Sequence, residues 1–261
     1  MPIITLTSDW GNKDHYVGSV KGAILNLIPN ASIIDISHEI PAFNLYQASF
    51  ILKNCYKNFP TNTIHIIGVN SIAAPDTPHT AILKDGHYFI SSDNGIFSLL
   101  FDTLPDKIIE IKIIENTKST FPARDIYAPA ACFLAKGNPI EKLGIIKSSI
   151  KEMIEFQPVV ANNTIRGMVI YIDRYFNAIT NISLKLFNEV VNNKKFRISF
   201  TSYFIDKISK TYNEVTEGEI LALFSSEGYL QIAQNKGDAA NQLGLALGSL
   251  VLVEFENDEN L

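Results

Sequence analysis

A short apolar run, Ile3-Ile4-Thr5-Leu6, passes directly into Thr7-Ser8-Asp9-Trp10-Gly11. Apolar side chains then recur at helical spacing, with Tyr16, Val17, Val20, Ile24 and Leu25 on one face. A strand joined to a helix by a tight turn is the opening unit of an α/β sheet, where small molecules sit beyond the carboxyl ends of the strands. Asp9 and Asp14 then stand at the mouth of a crevice. Two carboxylates there suit hydroxyl groups or a cation and repel phosphate. Asp14 also stands where it would cap the helix, and this stretch alone leaves both roles open.

The alternation continues. Residues 32–40 read as a second strand with a polar far end, broken by Pro41. A helix over 44–56 follows, with Leu45, Ala48, Leu52 and Tyr56 on its buried face. Residues 63–69 form a third strand. It leads into the Pro-bracketed loop Asn70-Ser71-Ile72-Ala73-Ala74-Pro75-Asp76-Thr77-Pro78-His79, and loops at strand ends are where catalytic groups tend to be carried. A hairpin over 80–83 and 87–91 turns through Ser92-Asp93-Asn94-Gly95, read as a backbone device, into a helix over 96–101. A strand over 108–114 precedes a helix that opens at Phe121-Pro122-Ala123-Arg124-Asp125 and ends at Gly137.

From about Lys147 to Asn163 the chain is polar, and beyond it strands follow one another at 165–172, 195–200, 220–224, 230–233 and 250–255. The expected architecture is an α/β domain over 1–150, with a central mostly parallel sheet, and a smaller all-β, barrel-like domain over 160–261.

Composition narrows the partners. A formal net charge of −5 without dense Lys/Arg runs argues against nucleic acid and anionic membranes and for a small molecule. The apolar stretch 243–255 is too short to span a bilayer and carries two glycines, so a turn and a final buried strand are expected there. No basic segment precedes the first apolar run, which predicts a cytoplasmic protein. Cys55 and Cys132 lie far apart without a CxxC or His neighbour, so buried thiols rather than a metal site are expected.

The most specific signal is Ile170-Tyr171-Ile172-Asp173-Arg174-Tyr175-Phe176-Asn177-Ala178-Ile179-Thr180-Asn181-Ile182. A carboxylate, an aromatic ring and an amide alternate there, which suits an amine, a flat heterocycle and its hydrogen-bonding edge. Taken with Thr7-Ser8-Asp9-Trp10-Gly11, Asp14, Val17-Gly18, Lys21-Gly22, Asp35-Ile36-Ser37-His38, Ser92-Asp93-Asn94-Gly95, Thr120-Phe121, Arg124-Asp125 and the closing Ser225 to Gly228, it resembles the S-adenosylmethionine (SAM) hydroxide adenosyltransferase family. These are SAM hydrolases that share a fold with the fluorinase and chlorinase enzymes. The resemblance covers nearly the whole chain.

The resemblance implies a homotrimer whose sites lie between one subunit's first domain and a neighbour's second. Asp14 would hold the ribose hydroxyls, with Asp9 and Phe121 also in the substrate site. Phe43 would form an aromatic wall, Tyr175 would flank the adenine, and Asn177 would read its edge. Asp173 and a serine of the pair Ser225-Ser226 would hold the methionine ammonium. No cofactor beyond SAM itself is implied.

The water-activating residues differ. The aspartate of the family's Val-Asp-Pro-Gly loop falls on Asn70, the following arginine falls near Thr77 or on His79, and His-Gly-Arg-Asp becomes Pro122-Ala123-Arg124-Asp125. Asn70 can orient a water but cannot take its proton, and His38 or His79 would have to serve as base. The implied activity is hydrolysis of SAM to adenosine and methionine. The alternatives are a SAM or adenosine binding protein without turnover and, below both, a halide-using transferase.

Overall fold

The structure, a computed structural model, describes residues 1–112 and 119–256. The chain divides into two compact units, Met1–Ile154 and Glu155–Leu261.

The first unit runs β1 (Ile3–Ser8), α1 (Tyr16–Leu27), β2 (Ser32–Ser37), α2 (Leu45–Lys53), β3 (Ile64–Gly68), β4 (His79–Lys84), β5 (His87–Ser92), α3 (Ile96–Leu100), β6 (Lys107–Ile111), α4 (Ala128–Ala135) and β7 (Gly144–Lys147). Its seven-stranded sheet has the order β2-β1-β3-β5-β4-β6-β7, parallel from β2 to β5 and antiparallel from β5 to β7. Both faces of the central strands β1, β3 and β5 are covered, which is why they are buried almost throughout, whereas the edge strands β2 and β7 keep exposed residues. Ile66 and Ile90 pack with Val20, Ile24 and Tyr127 on one face. Their neighbours Ile67 and Phe89 pack with Leu45, Leu52 and Phe97 on the other.

Several boundaries differ from the sequence reading. The second strand stops at Ser37, because the chain bends at His38. The second helix is shorter at both ends: Asn44 is its cap, accepting from Gln47 N–H at 3.0 Å, and Tyr56 belongs to a separate 3₁₀ turn. The strand expected over 108–114 starts at Lys107 and ends at Ile111; Ile113 and Ile114 lie outside the described residues.

The second unit contains β8 (Val159–Ala161), β9 (Thr164–Ile172), β10 (Ala178–Ser183), α5 (Leu184–Val191), β11 (Phe196–Phe200), β12 (Tyr203–Ile205), β13 (Ile220–Phe224), β14 (Tyr229–Gln234), α6 (Ala239–Gln242) and β15 (Leu250–Phe255). The sheet is antiparallel throughout, in the order β12-β11-β15-β9-β10-β14-β13 with β8 on β9. The long β9 pairs with β15 through its first half and with β10 through its second, curling the sheet toward a barrel. Alternate residues Ile165 and Val169 point inward with Val251, Val253 and Ile198. Gly167 lies between them on this inner face; a side chain there would collide with Ile182. The helix α5, absent from the sequence reading, starts where Ser183 accepts from Leu186 N–H at 3.1 Å.

Candidate active site

In a sheet with parallel β2, β1, β3 and β5, the carboxyl ends share one edge, and β4 begins at that edge because His79 pairs with Ser92. Asp9, His38, Asn70, His79 and Asp93 are thus gathered at one edge although they are far apart in the chain. Ligands in open α/β sheets bind at this edge.

At the end of β1, Ser8 Oγ lies 2.6 Å from His38 Nδ1, and His38 Nε2 lies 3.1 Å from Asp35 Oδ1. Lys21 Nζ donates to Asp35 Oδ2 at 2.5 Å. Burial opposes ionisation of Asp35, but the Lys21 hydrogen bond and the adjacent His38 hold its carboxyl below its ordinary range. His38 is only 3% exposed and its carbonyl accepts from Gly11 N–H at 2.8 Å. It is a brace under the Asp9 turn.

Asp9 uses one oxygen to accept from Phe43 N–H at 2.8 Å, and Phe43 has φ +65° with its ring 70% exposed. A bulky residue in the left-handed region is strained, and such strain persists where surrounding bonds hold it. Asp14 is exposed just ahead of α1. The cap position is His15, which makes no side-chain cap bond, so Asp14 does not cap the helix. Phe121 stands in an aromatic row: its ring meets Trp10 edge-on at 5.3 Å and Tyr16 at 5.2 Å, and Trp10 stacks on His38 at 6.1 Å.

The loop 70–79 is held by the turn that follows β5. Asn70 has φ +46°, and its carbonyl accepts from Ser92 Oγ at 3.2 Å and Asn94 Nδ2 at 2.9 Å. Asp93 N–H donates to Pro78 O at 2.8 Å, and both Asp93 oxygens accept from Lys151 N–H at 3.0 and 3.1 Å. Lys151 Nζ in turn bonds Asp76 Oδ2 at 2.7 Å. Burial pushes the Asp93 carboxyl up, against the downward pull of Lys151 and Lys147. Ser92-Asp93-Asn94-Gly95 is therefore a clamp on the loop.

Pro122 precedes a π-turn over Ala123–Tyr127 that runs into α4. Pro129 has no N–H for the Asp125 carbonyl, so the ordinary helical bond is lost there and the ladder widens, with Ala128 N–H reaching Ala123 O. Arg124 makes a two-pronged ion pair with Asp125 at 2.6 and 3.0 Å, and Ser119 Oγ donates to Asp125 at 2.5 Å. Tyr127 is fully buried; its hydroxyl donates to Ser71 O at 3.1 Å and lies 3.0 Å from His79 Nδ1.

In the second unit, Asp173 organises the β9–β10 turn. Its Oδ1 accepts from Tyr175 N–H at 2.8 Å and Asn177 N–H at 2.9 Å, and its Oδ2 accepts from Asn177 Nδ2 at 2.9 Å. Asn177 is buried, Phe176 has φ +61°, and Tyr175 is left 77% exposed. Phe176 O accepts from Ala240 N–H at 2.9 Å, which ties the turn to α6. Ser226 is exposed on the β13–β14 turn and donates to Glu227 Oε1 at 2.5 Å.

Sequence reasoning brought Asp9, Asn70 and His79 to one edge, but gave no site role to Trp10 or Tyr127. Gly68 at the end of β3 is the one local hint of Trp10, since a side chain there would strike the indole. No spacing signal links Tyr127 to His79.

Two family models match the chain: the SAM hydroxide adenosyltransferase N-terminal domain over residues 4–144 and the corresponding C-terminal domain over 167–252. The (R)-S-adenosyl-L-methionine hydrolase of Methanocaldococcus jannaschii is 31% identical over 258 residues, covering 94% of this chain and 93% of that protein. The fluorinase of Nocardia brasiliensis is 25% identical, covering 97% of each. A crystal structure of an uncharacterized conserved protein from Thermotoga maritima superposes with a TM-score of 0.87 at 32% identity, over 96% of this chain and 99% of that one.

Proposed function

Since this chain belongs to the SAM hydroxide adenosyltransferase family, we propose that it hydrolyses SAM to adenosine and L-methionine by attack of water on the ribose C5′. The observation that carries the reading is the similarity, over 94% of the chain, to a protein named as a SAM hydrolase. Displacement from the sulfonium leaves a neutral thioether, so the leaving group needs no acid and only the water needs a base. This chemistry calls for no cofactor beyond the substrate.

Within that reading Asp14, exposed and not engaged in capping, takes the ribose hydroxyls, each charged hydrogen bond contributing about 1.5–3 kcal/mol. Asp9 supports the wall formed by Phe43, and Phe121 lines the substrate from the aromatic row with Trp10 and Tyr16. Tyr175 lies against the adenine, in a turn held by Asp173 and Asn177. Asp173 and Ser226 remain the candidates for the methionine ammonium, although Asp173 already accepts three hydrogen bonds from its own turn. The exposed rings of Phe43 and Tyr175 suit a homotrimer with sites at subunit interfaces. Among the described residues no helix is long and apolar enough to cross a membrane, and a cytoplasmic location fits a SAM-consuming enzyme.

Asn70 and Pro122, which carry no base, favour a second reading: a protein that binds SAM or adenosine without turnover. Chromatography of SAM incubated with the protein decides between them. Adenosine and methionine in equal amounts support hydrolysis. A trace identical to the protein-free control, with SAM binding seen by calorimetry, supports the second reading, and no binding at millimolar SAM removes both. Chloride or fluoride in the same assay tests halide use.

A further inference from the structure

The three segments where the water-activating residues of the family are replaced converge on one hydroxyl. Tyr127, at the end of the π-turn that follows Pro122, donates its only proton to the carbonyl of Ser71, next to Asn70. A carbonyl can only accept, so with the hydroxyl proton on Ser71 O, the 3.0 Å contact between His79 Nδ1 and the same hydroxyl carries its proton on the imidazole. In that arrangement His79 is the tautomer protonated at Nδ1, and its lone pair is at Nε2. Resting on the hydrolase reading, we infer that His79 Nε2 takes the proton of the attacking water, and that Tyr127 is the positioning residue that fixes the tautomer and aims the ring.

The step balances. The water oxygen forms a bond to C5′ as the C5′–S bond breaks, and the electron pair leaves with the methionine sulfur. The water proton passes to Nε2, giving an imidazolium that returns it to solvent, so SAM and water become adenosine, methionine and a proton.

The surroundings of His79 agree with a neutral resting base. Tyr127 faces it from the π-turn and Ser92 from β5. Of the nearby carboxylates of the clamp, Asp93 accepts from the Lys151 backbone N–H and Asp76 pairs with Lys151 Nζ. Burial lowers the pKa of His79 from its ordinary value. By contrast His38 is enclosed and bonded to Ser8.

The test is steady-state hydrolysis of SAM by wild type, His79→Asn and Tyr127→Phe across pH 5 to 9, with SAM affinity measured by calorimetry. Asparagine keeps a donor toward Tyr127 and removes the base, so His79→Asn folds, binds SAM within a few-fold of wild type, and loses about 10²–10⁴ in kcat. The acidic limb of the wild-type profile, falling below pH 6.5, disappears with it. Tyr127→Phe, the second variant, keeps the limb, lowers kcat by a smaller factor and loses the Nδ1–H tautomer preference in ¹⁵N NMR of the histidine ring. A wild type that makes adenosine while His79→Asn retains its rate and acidic limb overturns the inference and leaves the hydrolase reading standing. A wild type that makes none overturns both.

Discussion

The indole of Trp10 lies on Gly68, so close that a methyl group at residue 68 would overlap the six-membered ring. Gly68 closes β3 and Trp10 follows β1, so this contact sets how the first turn sits over the neighbouring strand. Gly68→Ala should displace Trp10, disturb its packing on Phe121 and His38, and cost about 1–3 kcal/mol. Trp10 is the only tryptophan, so its fluorescence reports the displacement directly. A red-shifted emission and a lowered Tm are expected, and unchanged values of both would show that the ring accommodates the methyl group.

Acid should weaken the first unit through His65. This ring is fully buried, with Thr5 Oγ1 at 2.7 Å from Nδ1, His87 Nδ1 at 3.3 Å from Nε2, and Phe89 stacked at 4.7 Å. Burial, and then the charge His87 would carry, push its pKa down to about 3, whereas the unfolded value is about 6.5. Below pH 6.5 the unfolded chain takes up a proton that the folded chain refuses. Stability is thus full above about pH 6.5 and declines as pH falls toward 3, by about 1.4 kcal/mol per pH unit for one group. His87, also lowered by burial, acts in the same direction. Urea denaturation should give a stability about 2 kcal/mol lower at pH 5 than at pH 7, and equal values would mean that His65 is protonated in the folded state.

His65 also marks where the sequence stopped being legible. Its run, Ile64-His65-Ile66-Ile67, identifies β3 by its apolar neighbours, and the doubly covered sheet follows from the same run together with the helical spacing of Val20 and Ile24. The partners of a buried polar group come from other strands, however, and Thr5 and His87 are related to His65 only through register. The site divides likewise. Asp9, Asn70 and His79 were readable because they follow or open strands, which topology brings to one edge. Tyr127 was not, because its reach to His79 depends on the π-turn that Pro129 imposes. Asp173 was read as a ligand for an ammonium from the family resemblance of its segment; its spacing to Tyr175 and Asn177 also lets it bond both backbones, and the folded turn uses it that way.

This double use of Asp173 gives a prediction that separates brace from ligand. Asp173→Asn keeps an oxygen for the Tyr175 and Asn177 N–H groups but cannot accept from Asn177 Nδ2 as well, because its second atom is now a donor. A loss of about 1–3 kcal/mol in stability is expected from the unmatched donors. Asn177→Ala removes the Asn177 Nδ2 donor and leaves the charge in place. If Asp173 acts only as a brace, both variants weaken SAM binding in proportion to their loss of stability. If it also meets the ammonium, Asp173→Asn weakens SAM binding well beyond adenosine binding, whereas Asn177→Ala, which touches only the adenine side of the turn, weakens the two equally, a comparison that calorimetry makes directly.

The exposure of Phe43 and Tyr175 leads to the last prediction. Each ring is largely uncovered, at 70% and 77%, and each sits in a turn with a strained residue, Phe43 itself at φ +65° and Phe176 at +61°. Strain and exposed aromatic surface together are retained where a partner or ligand covers them. If the covering surface is a neighbouring subunit in a closed ring, every site joins Asp14 of one copy to Tyr175 of the next. Asp14→Ala and Tyr175→Ala proteins, each inactive alone, should then complement one another: an equal, randomly assorted mixture regains about one quarter of its sites intact. Unfolding and refolding the two together, followed by the chromatographic assay, measures that fraction. Light scattering should report three copies of the 29.0 kDa chain. A monomer with full affinity for SAM, or a co-refolded mixture with no activity above its parts, would exclude the shared site.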